Sequence, residues 1–158
     1  MIQILLLLLV PMAWMGHADA QVWGTATSTN PNQHSSIVYR YLKDFAKGFD
    51  QTTRPDRFTL VWKYKSSNGM PARKDRERMD EMEALLGPVL ETDGFATLVL
   101  VSTGQGQREW TYYAQAEKDV LPHLNKALSG KARYPIEIHT EADPQWRTYR
   151  KFRARVKE

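Results

Sequence analysis

The sequence predicts an α+β fold, in which helices pack on an antiparallel sheet. One observation is the apolar run Phe95–Ser102, which stops at a glycine-containing turn, as expected of a buried strand that opens a hairpin. Another is the alternation of large apolar and polar residues over Phe58–Lys65. The third is a pair of amphipathic segments, 72–91 and Glu117–Ser129, whose apolar residues recur at helical spacing.

The order of these elements predicts how they are connected. A strand from Arg57 precedes the helix 72–91, which Gly87-Pro88 should kink or end. The hairpin 95–113 and the second helix follow, and Tyr134–His139 is the last strand. The order β-α-β-β-α-β is that of ferredoxin-like folds, which place both helices on one face of the sheet.

Two further elements flank this arrangement. Residues 21–56 form an N-terminal extension that we interpret as a β-hairpin, with Val22–Thr27 and Ser36–Tyr41 as strands around a turn centred on Pro31. A helix is the alternative, since apolar residues between 38 and 49 also fit a period near 3.6. At the other end, Asp143-Pro144 predicts the start of a C-terminal amphipathic helix, with Asp143 as N-cap. Residues 57–158 are therefore interpreted as one α+β domain.

The first twenty residues have the pattern of a secretory signal peptide. Ile2–Trp14 is almost wholly apolar, and Ala18-Asp19-Ala20 is a small-x-small cleavage pattern. We expect cleavage after Ala20 and a periplasmic or secreted location of the mature protein. The apolar stretch is shorter than the ~20 residues that span a bilayer, so no stable membrane insertion is expected after cleavage.

The composition narrows the possible chemistry. The chain contains no cysteine, which excludes disulfides, thiol nucleophiles and cysteine-ligated metals. Its net charge of +4 is mildly basic, and such an excess is typical of soluble proteins. The C-terminal cations surround an aromatic stripe as on a solvated helix, and export removes most nucleic-acid partners. No nucleic acid is therefore predicted as a partner.

Aromatic and charged residues of the hairpin suggest a binding patch. Arg108, Glu109, Trp110 and Tyr113 follow one another along its second strand, and Lys63 of the first predicted strand could lie nearby. A cation, a carboxylate and a phenol around an aromatic floor could recognise a ligand. The alternative is structural, because Trp and Tyr on strands usually make cross-strand pairs in the core.

Carboxylates around a histidine suggest a second possible site. Glu137, His139 and Glu141 recur at every second residue, so one face of a strand would present a ligand set suited to a divalent metal. Residues along one strand are too linear to complete a coordination sphere, so solvent exposure is the preferred interpretation and no metal site is predicted. Gly104-x-Gly106 lacks the third glycine of a dinucleotide loop, and no cofactor is predicted.

Three spaced motifs carry a resemblance to a known family. Gly69-Met70-Pro71, Arg108–Tyr113 and Asp143–Tyr149 resemble, in matching order over roughly residues 57 to 152, the bacterial domain of unknown function numbered six-nine-five. The resemblance supports one domain and implies no activity.

These observations favour a non-enzymatic exported domain that binds a protein or peptide partner of the cell envelope. The predicted sheet has aromatic-rich strands and an open face or strand edge, and the chain carries no recognisable catalytic constellation, so no catalytic residue is assigned. The alternative is a hydrolase-type or metal-binding enzyme that uses His139 with Glu137 or Glu141, or Tyr113 with Glu109, as acid and base. The position of the C-terminal helix discriminates between these two functions. A helix lying on the open sheet face would fill the proposed binding surface.

Overall fold

A computed structural model describes residues 21–30, 35–92 and 94–157. These residues form a six-stranded antiparallel sheet and three α-helices, which confirms the α+β prediction. The strands are β1 (Val22–Asn30), β2 (Ser35–Asp44), β3 (Asp56–Lys63), β4 (Ala96–Gly104), β5 (Gln107–Ala114) and β6 (Ile136–Ala142), and the helices are α1 (Arg73–Leu90), α2 (Val120–Ala127) and α3 (Arg147–Arg153). The predicted signal peptide and the turn centred on Pro31 lie outside the described residues. No helix in the described ranges is both long and apolar enough to cross a membrane.

The strands lie in the order β1-β2-β4-β5-β3-β6, and every neighbouring pair is antiparallel. The hairpin of β4 and β5 is therefore at the centre of the sheet. Residues 35–44 are a strand rather than a helix, and they pair with both β1 and β4. Consequently the N-terminal strands extend the same sheet and are not a separate unit.

Helices α1 and α2 pack against one face of the sheet and contribute to the main core. Met79, Met82 and Leu86 of α1 are fully buried there against apolar side chains from β3, β4 and β5. α1 continues through Pro88 to Leu90. Pro88 has no N–H to donate to the carbonyl four residues earlier, and the helix ends two residues after it, at Leu90.

A smaller core lies on the opposite face, under α3. Val99 and Leu100 both contribute to it, although they are neighbours on one strand. A bulge in β4 between Leu98 and Leu100 explains this, because an extra residue in one strand changes which face the next side chain points to. The bulge thus supplies two adjacent apolar side chains on which α3 packs.

α3 begins later than its sequence predicts. The expected N-cap was Asp143, but the helix starts at Arg147 and Trp146 adopts a left-handed conformation with φ of 55°. Asp143 still caps the helix, since its carboxylate accepts hydrogen bonds from the backbone N–H groups of Arg147 (2.8 Å) and Thr148 (3.0 Å). The tight turn before the helix directs the Trp146 indole into the smaller core.

Candidate functional site

The sheet separates the five residues of the predicted binding patch. Trp110 points to the α1 side, where its indole N–H donates a hydrogen bond to Glu83 of α1 (2.8 Å). Tyr113 lies on the α3 side and stacks on the Trp146 indole. Glu109 and Lys63 share that face by strand alternation. The five residues therefore do not form one surface.

Arg108 and Trp110 join the sheet to α1 through a charge network. Arg108 is largely buried and donates hydrogen bonds to Asp80 (2.8 Å) and Thr103 (2.9 Å). Glu83, which accepts from Trp110, is also paired with Arg40 of β2. Each cation of this network already has a carboxylate partner, so the arrangement holds α1 against the sheet.

Tyr113 is buried beneath the start of α3. Its ring stacks on Trp146 at 3.9 Å between centroids, and its hydroxyl donates a hydrogen bond to Oδ2 of Asp143 at 2.7 Å. Burial, together with this hydrogen bond, raises the pKa of Tyr113 well above its ordinary value. Glu109 instead accepts a hydrogen bond from the side chain of Gln107 (2.7 Å). Tyr113 and Glu109 thus have separate partners and are not arranged as an acid and base pair.

Asp143 combines several contacts at this position. Burial would raise the pKa of its carboxyl group, but the hydrogen bonds from Thr148, Tyr113 and Arg147 outweigh burial and lower that pKa. Its backbone N–H also donates to the carbonyl of Pro55 (2.8 Å). The residue therefore holds the start of α3 in place as a charged group.

The C-terminal helix covers part of the face that was expected to be open. Trp146 is fully buried among Phe45, Phe49, Tyr113 and Tyr149. Further along α3, the Tyr149 hydroxyl donates to the carbonyl of Leu42, and Phe152 contacts Tyr39 and Tyr41 of β2. The aromatic stripe of α3 therefore occupies the sheet face around Tyr113.

Glu137, His139 and Glu141 lie on β6 and are exposed. Glu137 is paired with Lys63 at 2.8 Å, and Glu141 is paired with Arg57. His139 lies 3.5 Å from Glu137, between Nε2 and Oε2. Within the part of the chain that the structure describes, no group of three or more His, Cys, Asp or Glu residues could hold a metal ion.

A groove of about 870 Å³ lies between β1 and the chain that follows α3. Its lining includes aromatic side chains, small residues of β1 and three cations: Val22, Trp23, Gly24, Thr25, Ala26, Thr27, Ser28, Tyr39, Tyr41, Lys43, Phe152, Arg155, Val156 and Lys157. Of the five residues predicted to form a binding patch, none contributes to it. The groove is therefore a second candidate site, beside the edge of the sheet.

Some exposed apolar side chains lie on β1 and β2, and two of them, Val22 and Trp23, line the groove. Among the described residues, four large apolar side chains are exposed, and Val22 (46%), Trp23 (37%) and Val38 (40%) belong to β1 and β2. Val38 pairs with Thr27 and lies on the sheet face opposite to Tyr39 and Tyr41, so only Val22 and Trp23 add exposed apolar area at the groove. The sequence does contain a pattern that could have indicated this site. The nine residues of β1 include no charged residue, and Tyr39 and Tyr41 alternate along the strand that follows.

No curated protein and no solved structure matches the chain. The model of a family described as a family of unknown function, DUF695, matches residues 21–153. This match confirms the resemblance noted from three motifs and extends it to β1 and β2, which complete the sheet. The chain therefore belongs to the DUF695 family of unknown function.

Proposed function

We propose that this protein is a non-enzymatic binding domain that pairs an extended segment of a partner protein with the outer edge of β1. The observation that carries the proposal is that β1 is an edge strand of nine residues without charge, beside a groove of about 870 Å³. An edge strand presents backbone N–H and C=O groups to an added strand, and a neighbouring groove provides room for side chains. The exposed Val22 and Trp23 add apolar area to the same edge.

We further propose that residues 57–142 have the ferredoxin-like arrangement. The order β4-β5-β3-β6 and the packing of α1 and α2 on one face support it. In this arrangement β2 and β1 are additions beyond the second strand of the β-α-β-β-α-β unit. The binding edge would thus be a family-specific extension of a common scaffold.

The proposed location is the cell envelope, reached by cleavage after Ala20. The match to the family begins at residue 21, immediately after this position, which supports the proposal. N-terminal sequencing of the protein recovered from the periplasm or medium of an expressing bacterium should give Gln21 as the first residue. Recovery of the full chain from the cytoplasm would contradict the proposal.

A proline scan of β1 tests strand addition. Adjacent residues of a strand direct their N–H groups to opposite sides, so of Thr25→Pro and Ala26→Pro one removes a donor facing β2 and the other a donor facing outward. We expect a phage-displayed library of random linear peptides to yield peptides that bind the unmodified protein. The variant that retains the native Tm should lose those peptides, and the other variant should have a lower Tm.

Two outcomes would contradict strand addition. One is that the library yields no binding peptide. The other is that the selected peptides bind both proline variants as tightly as the unmodified protein, which would place their site elsewhere. Fluorescence anisotropy with a labelled selected peptide gives the affinities, and thermal unfolding of each variant gives Tm.

A further inference from the structure

The loop between β3 and α1 contains an Asn-Gly pair, Asn68-Gly69. An asparagine followed by glycine can close a five-membered succinimide ring, because glycine has no Cβ to hinder attack of its backbone nitrogen on the asparagine amide carbon. The reaction needs an accessible side chain and a backbone nitrogen that is not held in a hydrogen bond. Asn68 is exposed and lies outside the helices and strands, so the first requirement is met.

The backbone nitrogen of Gly69 is available as the nucleophile. No residue in the described ranges accepts a hydrogen bond from it. The carbonyl oxygen of Gly69 is held instead, because it accepts hydrogen bonds from the Gly106 N–H (3.1 Å) and the Tyr64 hydroxyl (3.0 Å). The loop therefore fixes the peptide group after Gly69 and leaves the N–H of the peptide group before it unengaged.

The side-chain amide of Asn68 is positioned as the electrophile. Its Oδ1 accepts a hydrogen bond from the backbone N–H of Met70 at 3.0 Å. Negative charge develops on this oxygen when a nitrogen attacks Cγ, and a donor already aimed at the oxygen stabilises that charge. The Ser66 hydroxyl lies 3.0 Å from the same Oδ1 and 2.6 Å from the Met70 carbonyl, so it helps to hold the turn closed.

We infer that Asn68 is a site of spontaneous deamidation in the folded protein, through a succinimide formed with Gly69. The Gly69 nitrogen gives its proton to hydroxide and forms a bond to Cγ of Asn68, while the bond from Cγ to the side-chain nitrogen breaks and ammonia leaves. Water then opens the ring. Cleavage of the new bond gives aspartate, and cleavage of the original peptide bond gives isoaspartate, whose backbone passes through Cβ and Cγ.

Isoaspartate at this position changes how the loop packs. It adds one carbon atom to the backbone immediately before Gly69, whose carbonyl is bonded to Gly106 and Tyr64. Gly69 has little room to adjust, since a Cβ on it would come within 3.1 Å of the backbone nitrogen of Gln105. The modification should therefore detach the loop from the turn between β4 and β5, and it adds one negative charge.

Ageing of the purified, unmodified protein at pH 8 in water labelled with ¹⁸O tests the inference. Peptide mapping by mass spectrometry should find ¹⁸O incorporated at residue 68, and an isoaspartyl methyltransferase should label the isoaspartate. The rate below the Tm should lie within about tenfold of the rate for the chain unfolded in urea. Asn125 lies in α2 and is the internal comparison, which should stay unmodified while the protein is folded.

Asn68→Gln is the matched control for the consequence. Glutamine keeps the amide, but its longer side chain would have to close a less favourable six-membered ring. The Tm of the aged, unmodified protein should fall as isoaspartate accumulates, and the Tm of the aged variant should stay at its starting value.

Three outcomes would overturn the inference in different ways. Conversion of Asn68 that is more than about tenfold slower in the folded protein than in urea would show that the fold protects it. Equal conversion of Asn68 and Asn125 in the folded protein would attribute both to unfolded molecules. Isoaspartate at residue 68 without any fall in Tm would support the modification site and show that detachment of the loop is wrong.

Discussion

The two edges of the sheet are built in opposite ways. β6 alternates Glu137, His139 and Glu141 along its exposed face, and Pro135 precedes the strand. β1 is longer, at nine residues against seven, and has neither a charge nor a proline. Charged side chains and prolines at an edge oppose pairing with other chains. We call β6 the protected edge and β1, where strand addition is proposed, the available edge.

The two edges also differ in what supports them. On the β6 side, ion pairs to β3 hold the exposed carboxylates, since Glu137 contacts Lys63 and Glu141 contacts Arg57. On the β1 side, support comes from apolar packing of α3, whose Phe152 reaches Tyr39 and Tyr41. Loss of α3 should therefore damage the available edge and leave the protected edge intact.

The largest effect is expected for Trp146→Ala. The indole is fully buried, stacks on Tyr113 and donates to the carbonyl of Arg54 at 2.9 Å. Truncating a buried Trp typically costs about 3 to 5 kcal/mol, so the free energy of unfolding in urea should fall by this amount. Leu121→Ala near β6 is the control, since that side chain is 56% exposed and should cost far less. Equal losses of unfolding free energy in the two variants would show that α3 is not the main support of the β1 side of the sheet.

Introducing charge on β1 should make it resemble β6. In the double variant Thr25→Lys, Thr27→Lys, both lysines would be exposed on the face of β1 opposite the groove side. The affinity for selected peptides should fall about tenfold, or about 1.4 kcal/mol, measured by fluorescence anisotropy. The variant Ser129→Lys, Ala132→Lys adds the same charge to an exposed segment after α2 and should bind normally. A similar loss in both variants would attribute the effect to net charge.

The sequence predicts the regular elements better than the site, for identifiable reasons. Alternation and helical spacing are local, so the strand after Arg57 and the helices α1 and α2 follow from nearby residues. The burial of Tyr113 depends instead on Trp146, which is distant in sequence and reaches it through a left-handed turn. The bulge at Val99 likewise disrupts no sequence pattern, because both of its neighbours are apolar. Which face is covered is therefore a property of tertiary packing.

Asp143 follows β6 and caps α3, so it connects the two sides of the sheet. Its contribution to the free energy of unfolding should depend on pH. Its pKa is lower in the folded protein than the ~3.9 of an unfolded chain, so its stabilisation is complete above that value and is lost as pH falls through the folded pKa. Asp143→Asn should cost about 1 kcal/mol at pH 7, and the difference should shrink at acidic pH. Urea unfolding of both proteins from pH 7 to pH 2.5 measures it. A difference that stays constant over this range would show that the charge of Asp143 contributes nothing.

The smallest effect on stability is expected when the protected edge is opened. In the double variant Glu137→Thr, His139→Thr, only exposed side chains and their ion pairs are lost, and exposed pairs stabilise proteins little. The Tm should stay nearly unchanged, while sedimentation velocity should show self-association that grows with concentration, because β6 would then lack one carboxylate and one polar imidazole that oppose strand pairing. Lys63→Thr is the matched control, since it breaks the same ion pair from the neighbouring strand without changing β6. If Lys63→Thr associates equally, the ion pair and not the edge charge protects β6, and the contrast between the two edges would lose its physical basis.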